Sequence, residues 1–98
     1  MVDTRGMEPG LIARTPGTRW RRTLRGVVLH APGAAEPVLV EAPGDVVWEA
    51  LAQPVALDVL VGEIARAFHA DPAVVGADVD RLVGELVALG AARRVTSA

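Results

Sequence analysis

The sequence predicts an α+β fold in which a three-stranded antiparallel sheet is followed by three helices. Short runs rich in valine and leucine lie between residues 19 and 41, and turn-forming residues separate them. Between residues 45 and 90, apolar side chains recur at helical spacing in three successive segments. A chain of 98 residues can build one modest hydrophobic core, so we expect these elements to form a single domain.

The first 17 residues show little sign of regular structure. They hold scattered charges, and four turn-forming residues interrupt them: Pro9, Gly10, Pro16 and Gly17. We therefore expect residues 1–17 to form a flexible N-terminal lead-in. Residues 18–95 are predicted to be the folded domain, and residues 96–98 a short tail.

Three strands are predicted after the lead-in. Residues 19–24 are compatible with a first strand in which Trp20 packs on one face while the arginines stay in solvent. Residues 26–30 and 38–41 are the second and third strands, because both are rich in β-branched residues and a Pro-Gly turn separates them. Connections this short cannot form a parallel crossover, so the three strands should make an antiparallel meander.

The first helix is short. Asp45 offers an N-cap, since its side chain can accept hydrogen bonds from free amides, and Pro54 stops the element after about two turns. Val47, Trp48 and Leu51 lie at helical spacing between them.

The second and third helices are longer and amphipathic. The second carries an apolar stripe of Leu57, Leu60, Val61, Ile64 and Phe68, and the third carries Val75, Val79, Leu82, Val83 and Leu86. Asp71 precedes Pro72 as an N-cap, and Gly90 suits the left-handed position after the third helix. Residues 91–95 add a short extended piece. This order of elements is winged helix-turn-helix-like.

The net charge of −2 is unevenly divided along the chain. Residues 1–25 contain six arginines and two acids, whereas residues 26–90 contain two arginines and ten acids. The predicted body of the domain is therefore acidic. A negative field repels phosphate backbones and favours basic or neutral partners.

The sequence does not indicate an enzyme. There is no cysteine, and the one serine, Ser97, lies next to the C-terminal residue. His30 and His69 lack metal-ligand spacing, and the glycines form no phosphate-binding loop, so we expect no catalytic residue, metal or cofactor. No apolar run reaches the roughly 20 residues that a membrane span needs. Because the chain has no cysteine, nothing indicates an oxidising compartment, and a cytoplasmic location is expected.

Several segments together resemble the PqqD-like family. The residues that carry the resemblance are the strand at 38–41, Val47–Trp48 with the rest of 47–51, the helix start at 57–61, Asp78–Val79 with Leu82 and Leu86 in 78–86, and Gly90. The family comprises recognition domains for precursors of ribosomally made, modified peptides, including small stand-alone proteins of lasso-peptide pathways. The resemblance covers about residues 19–95.

The resemblance implies that the domain is a peptide-binding module. Family members add an extended leader peptide beside the third strand, with leader side chains in a groove against the third helix. Carried over, Val38, Leu39 and Val40 would supply the strand edge. The groove candidates on the third helix are Val75, Asp78, Val79, Arg81, Leu82 and Glu85. The implied partners are a precursor peptide and a modifying enzyme, such as a radical SAM enzyme, a cyclase or a leader peptidase, and the protein would be a monomer or weak dimer.

Two other functions stay open at this point. A winged helix can also bind DNA through its third helix. That helix, however, offers Arg81 alone against Asp78, Asp80 and Glu85, which disfavours nucleic acid. The second alternative is an accessory or dimeric interaction domain without a peptide ligand.

Overall fold

The computed structural model describes residues 10–95 and shows an α+β fold. The lead-in residues 1–9 and the tail residues 96–98 lie outside the described part. The elements are β1 (Leu11–Arg14), β2 (Arg19–Arg22), β3 (Gly26–His30), β4 (Val38–Glu41), α1 (Gly44–Ala50), β5 (Val55–Ala56), α2 (Leu57–Ala67), α3 (Pro72–Ala88) and β6 (Ala92–Val95).

Strands β2, β3 and β4 form the predicted antiparallel meander. The order is β2-β3-β4, with Trp20 opposite Leu29 and Leu29 opposite Val38. The central strand β3 has alternating buried residues because its apolar side chains on one face cover the core. The predicted bounds of β3 and β4 are confirmed, and β2 is two residues shorter than predicted.

A second sheet was not predicted, and it corrects the expectation for part of the lead-in. Residues 11–14, assigned to a flexible segment, form β1 at the centre of a sheet with the order β5-β1-β6. Ile12 and Ala13 are buried, and β1 pairs along its whole length with β6. Four residues are too few to show a repeating pattern of apolar side chains. β1 forms because it pairs with a strand about 80 residues later in the chain.

The helices follow the predicted segments, with one correction at α1. Pro43 occupies its N-cap position, and no side chain caps the helix. Asp45 instead lies inside the first turn, nearly buried, and its carboxylate forms an ion pair of 3.1 Å with Arg22 of β2. Arg22 also binds Glu49 at 2.8 Å. These two carboxylates raise the pKa of Arg22, Glu49 having the larger effect, and they hold α1 against the sheet.

The caps of α3 are as predicted. The Asp71 side chain accepts a hydrogen bond from the amide of Ala73 at 2.9 Å, and Pro72 begins the helix. Gly90 follows its end with a φ of +79°. No helix in the described range is long and apolar enough to cross a membrane.

The core lies between the helices and the two sheets. Its largest fully buried side chains include Trp48, Leu29, Leu60 and Leu86. The apolar stripes of α2 and α3 enter this core, except that Phe68, just beyond the end of α2, is half exposed. An exposed phenyl ring at the end of a core stripe leaves apolar surface beside α3.

Arg14 joins the two sheets through the tryptophans. Its guanidinium lies 4.3 Å from the ring centroid of Trp48 and 4.9 Å from that of Trp20, and the two rings meet edge to face. Arg14 also donates two hydrogen bonds to the Trp48 carbonyl oxygen, at 2.9 and 3.3 Å. Burial lowers the pKa of Arg14, and Glu49 opposes that shift.

Candidate functional site

Strand β4 is an edge strand, and its outer side faces α3 across a cleft. It pairs with β3 on one side, and no strand among residues 10–95 pairs with its other side. We call the space between β4 and α3 the main cleft, and its volume is about 640 Å³. It is lined by Val38, Leu39, Val40, Glu41, Ala42, Pro43, Gly44, Arg81, Leu82, Glu85, Leu86, Ala88 and Leu89.

Glycine residues allow the backbone to pack closely beneath the main cleft. Gly26 lies opposite Glu41 in the sheet, and a Cβ at Gly26 would collide with the carbonyl oxygen of Val40. At Gly44, a Cβ would lie 2.7 Å from Cγ1 of Val40. The start of α1 therefore packs tightly under β4 and holds the strand edge in place.

The floor of the main cleft is apolar and its rim is charged. Leu82 and Leu86 are buried members of the core, whereas Val38 is 39% exposed. Arg81 binds Glu85 at 3.0 Å and approaches Asp78 at 3.8 Å, and Glu41 binds Arg25 at 3.3 Å. All these ion pairs lie in solvent, so they orient the rim and contribute little stability.

A second, smaller pocket continues from the main cleft between α2 and α3. We call it the side pocket, and its volume is about 270 Å³. It is lined by Pro43, Ile64, Phe68, Val75, Asp78, Val79 and Leu82. Pro43 and Leu82 line both spaces, so the two are adjacent.

The nine residues predicted from the sequence divide between these two spaces. Val38, Leu39, Val40, Arg81, Leu82 and Glu85 line the main cleft, whereas Val75, Asp78 and Val79 line the side pocket together with Leu82. Val79 and Leu82 are also buried core residues, with 1% and 8% of their surface exposed. They therefore form the pocket floor and offer little surface of their own.

Sequence reasoning missed several lining residues. The sequence pattern gives Pro43 no binding role and places Phe68 on the apolar stripe of the second helix, yet both line the side pocket. Glu41 was assigned to the strand without a role, and it lies on the rim of the main cleft. No local sequence pattern predicts a binding role for these positions. Glu41 and Pro43 lie where β4 ends and the chain turns into α1, and Phe68 lies just beyond the end of α2.

Apolar and charged side chains line the main cleft. The residues that line the main cleft include no serine, threonine, histidine or cysteine. Among residues 10–95, no cluster of histidine, aspartate and glutamate is suited to a metal ion. The site offers backbone hydrogen-bonding groups along β4, apolar side chains and a rim of mixed charge.

These features define a small α+β domain in which a sheet edge that no described strand covers lies next to a helix. The family model of coenzyme PQQ synthesis protein D (PqqD) matches residues 26–91, which is more than half of the chain. The chain therefore belongs to the PqqD family. The matched range begins at β3 and ends after α3, so it includes both sides of the main cleft and the whole side pocket.

A solved structure shares this fold. The chain is similar to the PqqD truncation of PqqCD from Methylobacterium extorquens, studied by solution NMR. The TM-score is 0.67 at 19% sequence identity, and the match covers 86% of this chain and 89% of that one. That protein is a functional, stand-alone recognition element for ribosomally synthesised and post-translationally modified peptides. No curated protein matches the chain.

Proposed function

We propose that this protein binds the leader segment of a ribosomally synthesised precursor peptide and presents it to a separate modifying enzyme or leader peptidase. The leader adds as a strand to β4, and its side chains enter the main cleft against α3. The observation that carries the proposal is the outer edge of β4, which no strand within residues 10–95 pairs and which faces α3 across an apolar cleft. Membership of the PqqD family and the likeness to a recognition element support it.

Strand addition fits the physical character of this edge. An edge strand exposes unpaired amide and carbonyl groups, and an extended peptide satisfies them along its whole length. The four residues of β4 offer about 13 Å of edge at 3.3 Å per residue. The main cleft is of the size typical of ligand sites, and its apolar floor can hold alternate side chains of the added strand.

The test is hydrogen exchange measured by NMR with synthetic leader peptides from short precursor genes next to this gene. In an antiparallel strand, amides alternate between the two sides, so every second amide of β4 faces outward. Peptide addition should slow exchange of those amides about tenfold or more, because each gains a hydrogen bond. The amides of β2, at the opposite edge of the same sheet, are the internal control and should not change.

Two results would count against strand addition. One is peptide binding that protects the edge of β2 instead of that of β4. The other is the absence of binding by every leader tested in isothermal titration. A labelled DNA duplex is the nucleic-acid control, and no shift is expected because Asp78, Asp80 and Glu85 outnumber Arg81 on the exposed face of α3.

A further inference from the structure

We infer that the side pocket is a second subsite for the same peptide, one that takes an apolar side chain with a basic residue beside it. This inference rests on the proposed function and deepens it, because it states which leader chemistry the domain selects. Strand addition alone is insensitive to sequence, since it uses only backbone groups. The side pocket adds selectivity to that of the main cleft, whose floor takes alternate side chains of the added strand.

The walls of the side pocket are suited to an apolar anchor. Six of its seven lining residues are apolar, and Phe68 leaves half of its surface exposed at the edge. A closed apolar cavity of about 150 Å³ is enough to hold a benzene ring, and the side pocket offers about 270 Å³. A leucine, isoleucine or phenylalanine side chain therefore fits, and it would cover the exposed ring of Phe68.

The position of the side pocket places the anchor on the path of the added strand. β4 ends at Glu41, and Pro43, two residues later, lines both the main cleft and the side pocket. A peptide that continues past the Glu41 end of β4 therefore comes next to the side pocket, because Pro43 belongs to both spaces.

The charge beside the side pocket favours a basic neighbour. Asp78 is the one charged residue among the described residues that line it, and its side chain is 70% exposed. Its nearest cation, Arg81, lies at 3.8 Å and makes its shorter contact of 3.0 Å with Glu85. A lysine or arginine next to the anchor can therefore approach Asp78, whereas an acidic residue is repelled.

The experiment uses peptides selected from a random library displayed on phage against the full chain. The enriched peptides are synthesised with fluorescein, and Kd is measured by fluorescence polarisation. Val75→Asp places a charge in the side pocket and should weaken binding about tenfold. Phe68→Ala removes one wall and should weaken it about threefold or more. Val74→Asp and Val59→Ala are the matched controls, since both side chains are exposed outside the pocket, and they should change Kd less than about twofold.

The two proposals fail in different ways. If the peptides protect the amides of β4 but Val75→Asp and Phe68→Ala bind like their controls, the subsite is wrong and strand addition stands. If neither the enriched peptides nor the leader peptides protect β4, the proposed function is wrong and the subsite with it. Phe68→Ala keeps the test valid should Val75→Asp unfold, because Phe68 is half exposed. If the variants alter self-association in sedimentation and leave Kd unchanged, the pocket serves a second copy and the inference is overturned.

The charge preference has its own test. Asp78→Lys should raise the Kd of peptides that carry a basic residue beside the anchor by about two- to fivefold. The increase should be smaller at high salt, because salt screens the charges. The same variant should favour a synthetic peptide in which that residue is glutamate. Asp80→Lys is the control, because Asp80 lies on the same helix but outside the side pocket. Equal effects of the two variants would overturn the role of Asp78.

Discussion

At the scale of single residues, Gly26 holds the β4 edge in register. Its φ is +154°, and a Cβ there would strike the backbone of Val40 and Glu41. We expect Gly26→Ala to lower the free energy of unfolding by about 3 kcal/mol, from strained backbone and a steric clash together. Gly33 also has a positive φ, but no atom lies within 4 Å of a Cβ built on it. Gly33→Ala should therefore cost only about 1 kcal/mol.

Urea denaturation of the two variants measures this difference. A change in the midpoint without a change in slope would report stability alone. Equal losses for Gly26→Ala and Gly33→Ala would mean that the contact with β4 has no energetic importance.

Arg14 is the second residue whose effect can be predicted. It packs against two tryptophan rings and donates two hydrogen bonds to the carbonyl oxygen of Trp48. Arg14→Ala should cost about 2 kcal/mol in thermal or urea unfolding, from the lost hydrogen bonds and the lost cation–π contact. Arg14→Lys keeps the charge but loses the planar fork, so it should recover only part of that loss. Arg21→Ala, an exposed arginine on β2, is the control and should be nearly neutral.

At the scale of elements, α2 and α3 end in the same way but with different residues. Ala70 donates to the carbonyl of Ala65 after α2, and Ala91 donates to that of Leu86 after α3. The residue just before each donor has a positive φ, Gly90 at +79° and His69 at +52°. Glycine adopts this conformation without the strain that a Cβ brings.

His69→Gly should therefore stabilise the protein by about 0.5 kcal/mol, which corresponds to roughly 2–4 °C in Tm for a domain of this size. Gly90→Ala should destabilise it by about 1 kcal/mol. Differential scanning calorimetry can resolve both shifts. His69→Ala is the control, since alanine keeps the Cβ, and it should show no gain. A lower Tm for His69→Gly would show that the imidazole contributes more than its backbone strain costs.

At the scale of the whole molecule, the second sheet joins parts of the chain that are distant in sequence. β1 lies between β5, which leads into α2, and β6, which follows α3. Ile12 is 2% exposed within this sheet. Ile12→Ala should lower the free energy of unfolding by about 3 kcal/mol, because it leaves a cavity in the shared core. Leu24 is fully exposed, and Leu24→Ala should have no measurable effect in the same urea titration.

This prediction separates two descriptions of the N-terminal segment. If Ile12→Ala unfolds at the same urea concentration as Leu24→Ala, then β1 adds nothing to the folded domain, as the sequence interpretation of a lead-in implied. A large difference would show that the domain begins before residue 18.

Local sequence determined the elements that need no distant partner. β3 and β4 have the predicted bounds, because β-branched residues and a short turn define a hairpin by themselves. Asp71 and Gly90 limit α3 for the same reason, since caps act on neighbouring amides and carbonyls. The fold class followed from these elements in order. The site residues, in contrast, came from a family resemblance and not from any local pattern.

Only the tertiary structure decided how those elements meet. β1 is a strand because Ala92 to Val95 pair with it. A four-residue segment carries no local pattern that predicts a partner about 80 residues away. Asp45 binds Arg22 instead of capping α1, since the sheet brings that arginine to 3.1 Å. The division of the predicted residues into a main cleft and a side pocket likewise depends on where Pro43 and Phe68 lie. Short-range hydrogen bonds set the elements, whereas burial of apolar surface, which has no direction along the chain, set their arrangement.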